Sequence, residues 1–172
     1  MMEYLPIEQH HLPGLAGAMM AAYAKAHGIF AAEAIWPRYM PSRKMIDDIL
    51  ASGMIGRPDV LTANLSYVIH EVPRIIEPAL AGGALLDIGV YGINFALMHF
   101  GDDIERMESS VRFTDTGVDG QESITLHYRD GKMAVITAGV LARSDRKGII
   151  HGDIVPCFCQ PRSIVTSEGS GS

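Results

Sequence analysis

Asp130-Gly131 stands between two runs, "ESITLHYR" and "KMAVITAGVLA", and this turn constrains the fold more than any other stretch. Asp-Gly accepts the positive φ angles of a tight hairpin, so it joins two antiparallel strands. In the first run Ile124, Leu126 and Tyr128 share one face, while Ser123, Thr125 and His127 share the other. The return run is apolar on both faces, which predicts a central strand covered on both sides. "ERMESSVRFTD" and "KGIIHG" read as further strands. From about residue 106 onward the pattern is strand, turn, strand.

The first half of the chain differs. Residues 12–27 are rich in Ala and Met and read as a helix stopped by Gly28. "GIFAAEAIW" looks extended, and Pro37 and Pro41 bracket a bend. Ser42 is the expected N-cap of "RKMIDDILASG", whose Met45, Ile46, Ile49 and Leu50 fall on one face before Gly53 ends it. "DVLTANLSYVIH" reads as a strand with Leu61, Ala63, Leu65 and Tyr67 on one side. Residues 84–100 make a second helix. Helices early and antiparallel strands later predict an α+β fold: an open antiparallel sheet with helices packed on one face.

With 172 residues, 48% of them hydrophobic and 20% charged, the chain has material for one domain with a proper core. A net charge of −6 with scattered basic residues disfavours nucleic acid as a partner. The acidic N-terminus lacks a signal-peptide pattern, and "LAGAMMAAYA" falls short of the ~20 residues of a membrane span. A soluble, cytoplasmic chain is expected, with no membrane partner. Cys157 and Cys159 are too close in sequence for an unstrained mutual disulfide and read as reduced thiols. The seven dispersed histidines, the adjacent His10-His11 pair included, offer no metal-ligand spacing, so no metal is expected. The final "TSEGSGS" has the composition of a flexible tail or an expression remnant.

"EPALAGGALLDIGVYGINFALMHF" carries the chemical question. Gly82 and Gly83 predict a turn, and the helix is expected to start between Leu86 and Gly89. Asp87 and Tyr91 are four residues apart and can address one pocket from one helix face. A phenol beside a carboxylate and a cation can act as a general acid or base toward a hydroxyl or carbonyl. From spacing alone, Asp87 also reads as a helix cap and Tyr91 as a core edge.

"EAIWPRYMP", "GGALLDIGVYGINFA" and "GVDGQESITLHYRDGKMAVITA" resemble, in order and spacing, segments of the Gfo/Idh/MocA oxidoreductases. The resemblance covers roughly residues 15–165 and is nearest to the branch of dihydrodiol dehydrogenases and glucose–fructose oxidoreductase. It implies the C-terminal half of an enzyme whose N-terminal half is a dinucleotide-binding Rossmann domain. Residues 1–35 would then be the helix-strand remnant of that Rossmann domain, and 36–165 the substrate-binding and oligomerisation domain. Residues 166–172 would be the tail. Tyr91 matches the family's catalytic tyrosine and Asp87 the acidic residue before it. Trp36 and Arg38 match positions lining the region between the two domains, Arg74 matches one bordering the substrate, and all three are the implied substrate-binding residues. Tyr67 and His70, at a strand end, are weaker candidates for the same pocket.

The sequence also departs from the family. It contains no G-x-G-x-x-G turn, and "EYLP" stands where a Glu-Lys-Pro motif supplies the catalytic lysine. "GDIVPCFCQPRSI" keeps only Pro161, Ser163 and Ile164 of the expected continuation into further strands. The resemblance therefore implies NAD(P) for the complete enzyme, but no cofactor bound by this chain alone and no activity in isolation. A sugar or diol is the implied substrate class, and a homodimer through an apolar, helix-free sheet face the implied assembly. A stand-alone, non-catalytic binding or dimerisation module is the alternative.

Overall fold

The structure, a computed structural model, describes residues 13–31 and 35–159. Five segments form the sheet's main body: β1 (Pro58–Ser66), β2 (Ile104–Phe113), β3 (Asp119–Tyr128), β4 (Met133–Gly139) and β5 (Gly148–Gly152). A sixth, β6 (Pro156–Cys159), adds to β5, giving the order β2-β3-β4-β1-β5-β6. The departing "GDIVPCFCQPRSI" segment thus does continue into the sheet. Four of the five pairings are antiparallel, but β1 runs parallel to β4, with Leu61 opposite Ala134. The expected hairpin closes as Gly131 N–H donates to Tyr128 O at 3.0 Å.

Alternation decides which face is covered. Leu61, Ile124, Leu126, Ala134, Ile136 and Ile150 are buried at 5% exposure or less and form the core beneath the helices. A fully buried aliphatic side chain contributes roughly 1.5–3 kcal/mol, so this face is a major source of stability. The opposite face is not the apolar surface the sequence predicted. It presents Thr62, Asn64, Ser123, Thr125, His127 and Thr137 around half-buried Val60, Met133, Val135 and Ile149. β4 is central but covered on one side only, because its outward residues include Thr137, which stays exposed.

The helices are α1 (Pro13–Ala26), α2 (Pro41–Ala51), the single turn α3 (Pro73–Ile76) and α4 (Val90–Phe100). α1 ends before Gly28 and α2 before Gly53, as the sequence predicts. Three local expectations fail. Ser42 is not the N-cap of α2: the helix starts at Pro41, whose ring presets the first turn, after Met40, which makes no side-chain cap bond. Met45 is 64% exposed, and only Ile46, Ile49 and Leu50 of its group pack on the core. Trp36–Tyr39 is a short 3₁₀ helix rather than the end of an extended run, with Pro37 in its first turn. Residues 32–34, His10-His11, Pro161, Ser163, Ile164 and the tail lie outside the described residues.

α4 is preceded without a break by a π-helical turn, Leu85–Gly89, and the continuous helix begins at Ala84. That start agrees with the helix read over residues 84–100 and is earlier than the Leu86–Gly89 window, because Asp119 of β3 accepts the Leu85 N–H at 2.5 Å and caps the end. Pro78–Phe100 has the length and hydropathy of a membrane span. In the fold, however, Ile88, Gly92, Ala96 and Phe100 of this stretch are buried in the domain's own core.

Candidate active site

Asp87, Tyr91 and Asn94 form one face of the helix, opposite the stripe of Ile88, Gly92 and Ala96 that packs inward. Each outward residue holds a partner from another segment. Asp87 pairs with the guanidinium of Arg74 at the single turn α3. The Tyr91 ring lies 6.2 Å from the Trp36 ring at an interplanar angle of 53°. Asn94 Oδ1 accepts from both Nε and Nη2 of Arg38, at 3.0 and 2.7 Å. Asn94 is itself fixed, since its Nδ2 donates to Val90 O at 2.9 Å. The five residues nominated from sequence therefore meet along one helix edge, two by an ion pair and two by ring contact.

Asn94 was missed. The i, i+4, i+7 spacing of Asp87, Tyr91 and Asn94 was the available signal. Tyr67 packs on the cluster of Ile75, Ile88 and Val140, with the Arg146 guanidinium 5.3 Å from its ring, and His70 is exposed.

The glycine pair shapes the entrance. Gly82 N–H donates to Glu77 O and Gly83 N–H to Ile75 O, folding the loop tightly onto α3. A Cβ on Gly82 would stand 2.5 Å from the Ile75 carbonyl oxygen, closer than any side chain tolerates. The loop, Arg74, Leu86 and Asp87 enclose a depression of about 200 Å³. Neither chemical residue is fully open. The Asp87 side chain is 26% exposed and Tyr91 is half-buried, because Arg74 covers one and Trp36 the other.

A family model described as GFO/IDH/MocA C-terminal domain matches residues 44–154. The chain belongs to the GFO/IDH/MocA family. Its curated GFO/IDH/MocA relatives include trans-1,2-dihydrobenzene-1,2-diol dehydrogenase of Sus scrofa, 31% identical over 87% of this chain and 47% of the relative. The Danio rerio enzyme of the same name is 35% identical over 77% and 40%. This chain spans less than half the length of these relatives. Among solved structures, KijD10, a 3-ketoreductase from Actinomadura kijaniata in complex with NADP and TDP-benzene, aligns with TM-score 0.72 and 26% identity. That alignment covers 79% of this chain and 42% of KijD10. An aldose-aldose oxidoreductase from Caulobacter crescentus shares the fold with TM-score 0.70 at 18% identity, over 86% and 52%.

A dinucleotide does not find its phosphate cradle among the described residues. The one glycine-preceded helix start, at Ala84, already has the Asp119 carboxylate on its Leu85 N–H. An anion held there repels a pyrophosphate instead of welcoming it.

Proposed function

We propose that this chain is the substrate-binding and oligomerisation half of an NAD(P)-dependent oxidoreductase acting on CH–OH groups of sugars or diols. The observation that carries the reading is the helix edge on which Asp87, Tyr91 and Asn94 clasp Arg74, Trp36 and Arg38, in a chain of this family. Residues 36–165 would form this domain, with 1–35 the end of the dinucleotide-binding one. The cofactor, held elsewhere in the complete cytoplasmic enzyme, would supply the redox chemistry.

Within that reading the chain's own residues have distinct work. The Tyr91 hydroxyl, which makes no hydrogen bond to another described residue, gives or takes the proton of a substrate hydroxyl or carbonyl. Asp87 and Arg74 form a charged pair at the depression and orient the substrate's polar groups. Trp36 covers the Tyr91 ring, and Arg38, fixed by Asn94, sets the Trp36–Tyr39 turn against the helix.

The purified chain alone is expected to show no saturable NAD(H) or NADP(H) binding in the micromolar range, on the order of ordinary cofactor and substrate affinities. Joined to the part of KijD10, solved in complex with NADP, that it does not cover, it is expected to oxidise diols or sugars. Tight dinucleotide binding by the lone chain would sink the division of labour. A joined protein that binds cofactor but turns over no member of a diol and aldose panel would favour the stand-alone module.

Assembly is the second part of the proposal. The aliphatic centre of the helix-free face, Val60, Met133, Val135 and Ile149, supports a homodimer through that sheet face. Sedimentation is expected to show a dimer that Val135→Glu converts to monomer. A monodisperse monomer at high concentration would count against it.

A further inference from the structure

Glu122 lies on β3 under the helix, where its neighbours in register, Ile124 and Leu126, are core residues. It is 8% exposed, and among the described residues it is the buried charged one. Its Oε1 has no hydrogen-bond partner. The carboxyl sits against the last residue of the π-turn: a Cβ on Gly89 would overlap Oε1 and approach Leu85 Cδ1 to 3.2 Å. Glycine at that position lets an acid touch the helix backbone directly. π-turns are rare and concentrate at functional positions, and this one carries Asp87 and leads into Tyr91.

We infer that Glu122 is a positioning residue whose neutral carboxyl seats the π-turn and the Asp87–Tyr91 edge, and whose ionisation unseats them. A buried carboxylate with no partner is costly, whereas a neutral carboxyl offers an O–H to nearby backbone. Among the described residues no cation pairs with Glu122. Opposite Glu122 stand Ala138 of β4 and Val111 of β2, both apolar. Asp119 on its own strand is a second acid, and Asp87 on the π-turn is already tied to Arg74. Burial first, and the nearby Asp119 charge second, push the Glu122 pKa up to about 7. The folded value lies above the ordinary one, so Glu122 stabilises the fold fully at low pH. That contribution is lost as pH rises from the unfolded value through about 7.

Only the consequence for turnover rests on the function proposed above; the seat of the helix can be read without any activity. Trp36 is the chain's sole tryptophan and its ring neighbours Tyr91, so its emission reports how the helix edge sits. The wild-type chain is expected to change Trp36 emission with a midpoint near pH 7. Glu122→Gln, which carries no ionisable group at position 122, is expected to lack that step near pH 7. His99, buried on α4 with its pKa lowered chiefly by burial, titrates in both proteins, so the wild-type-minus-variant difference is the signal. A second arm uses the contact itself. Gly89→Ala is expected to lower the melting temperature sharply in the wild-type background, and clearly less in a Glu122→Ala background. An emission curve that is flat in wild type, or unchanged in Glu122→Gln, would overturn the inference. So would strictly additive Gly89→Ala and Glu122→Ala effects.

Discussion

Gly83→Ala is expected to destabilise the domain by about 2–4 kcal/mol in urea unfolding, through two terms that act together. The first is backbone strain. Gly83 has φ +130°, a region that a residue with a Cβ enters only at a cost of about 1–3 kcal/mol. The second is a lost cap. The new Cβ would overlap Asp119 Oδ1, and Asp119 cannot swing aside without releasing the Leu85 N–H that its Oδ2 holds at 2.5 Å. Losing a cap of this kind costs about 0.5–2 kcal/mol. Gly101→Ala is the control, because Gly101 also has a positive φ, +84°, but nothing lies within 4 Å of its Cβ position. It should show the strain term alone. If the two variants lose the same stability, the Asp119 cap does not matter to the fold.

Tyr91→Phe separates chemistry from stability. In the joined protein it is expected to lower kcat by roughly 10²–10⁴, the range for removing a positioned acid–base group. Substrate KM should change little, since the ring and its contact with Trp36 persist. The same substitution should cost well under the ~1 kcal/mol of an average buried hydrogen bond, because the half-buried hydroxyl bonds to no other described residue. Two measurements decide this: steady-state kinetics and urea unfolding on the same preparation. Unaltered turnover would remove Tyr91 from the chemistry. A large loss of stability would make it a structural residue whose position beside Asp87 is incidental.

Much of this fold is legible in the sequence, and the gaps have physical reasons. Period-2 alternation identifies β1 and β3 together with the face each buries, and Asp130-Gly131 identifies the β3–β4 hairpin. Alternation says nothing about which strand pairs with which, so the parallel β1–β4 contact is invisible until the chain is folded. The π-turn is hidden for a similar reason. Leu85, Ile88, Gly89, Gly92 and Ala96 space as an α-helix would, and only Asp119, reaching in from another strand, fixes where the helix begins. Pro at a first helical position outcompeted the hydroxyl of Ser42 as the start of α2. At the candidate site, Asp87 and Tyr91 could be paired by their spacing, but their covers, Arg74 and Trp36, come from distant segments. Glu122 is legible in the sequence as well. It shares the parity of Ile124 and Leu126, so an acid stood on the buried face of "ESITLHYR" from the start.

The place of β1 in the sheet bears on how the molecule is made. Leu61 pairs with Ala134 on one side and Ile150 on the other, so both flanks of this early strand are completed by segments synthesised much later. The β2-β3-β4 meander can zip locally as it emerges, whereas β1 must wait and then be enclosed between β4 and β5. Such non-local pairing closes large loops before it gains contacts, which slows folding. Throughout that interval a nine-residue strand has its N–H and C=O groups unpaired along both edges. An exposed strand of this kind can pair with a neighbouring chain, so an intermediate with β1 open is exposed to misassembly.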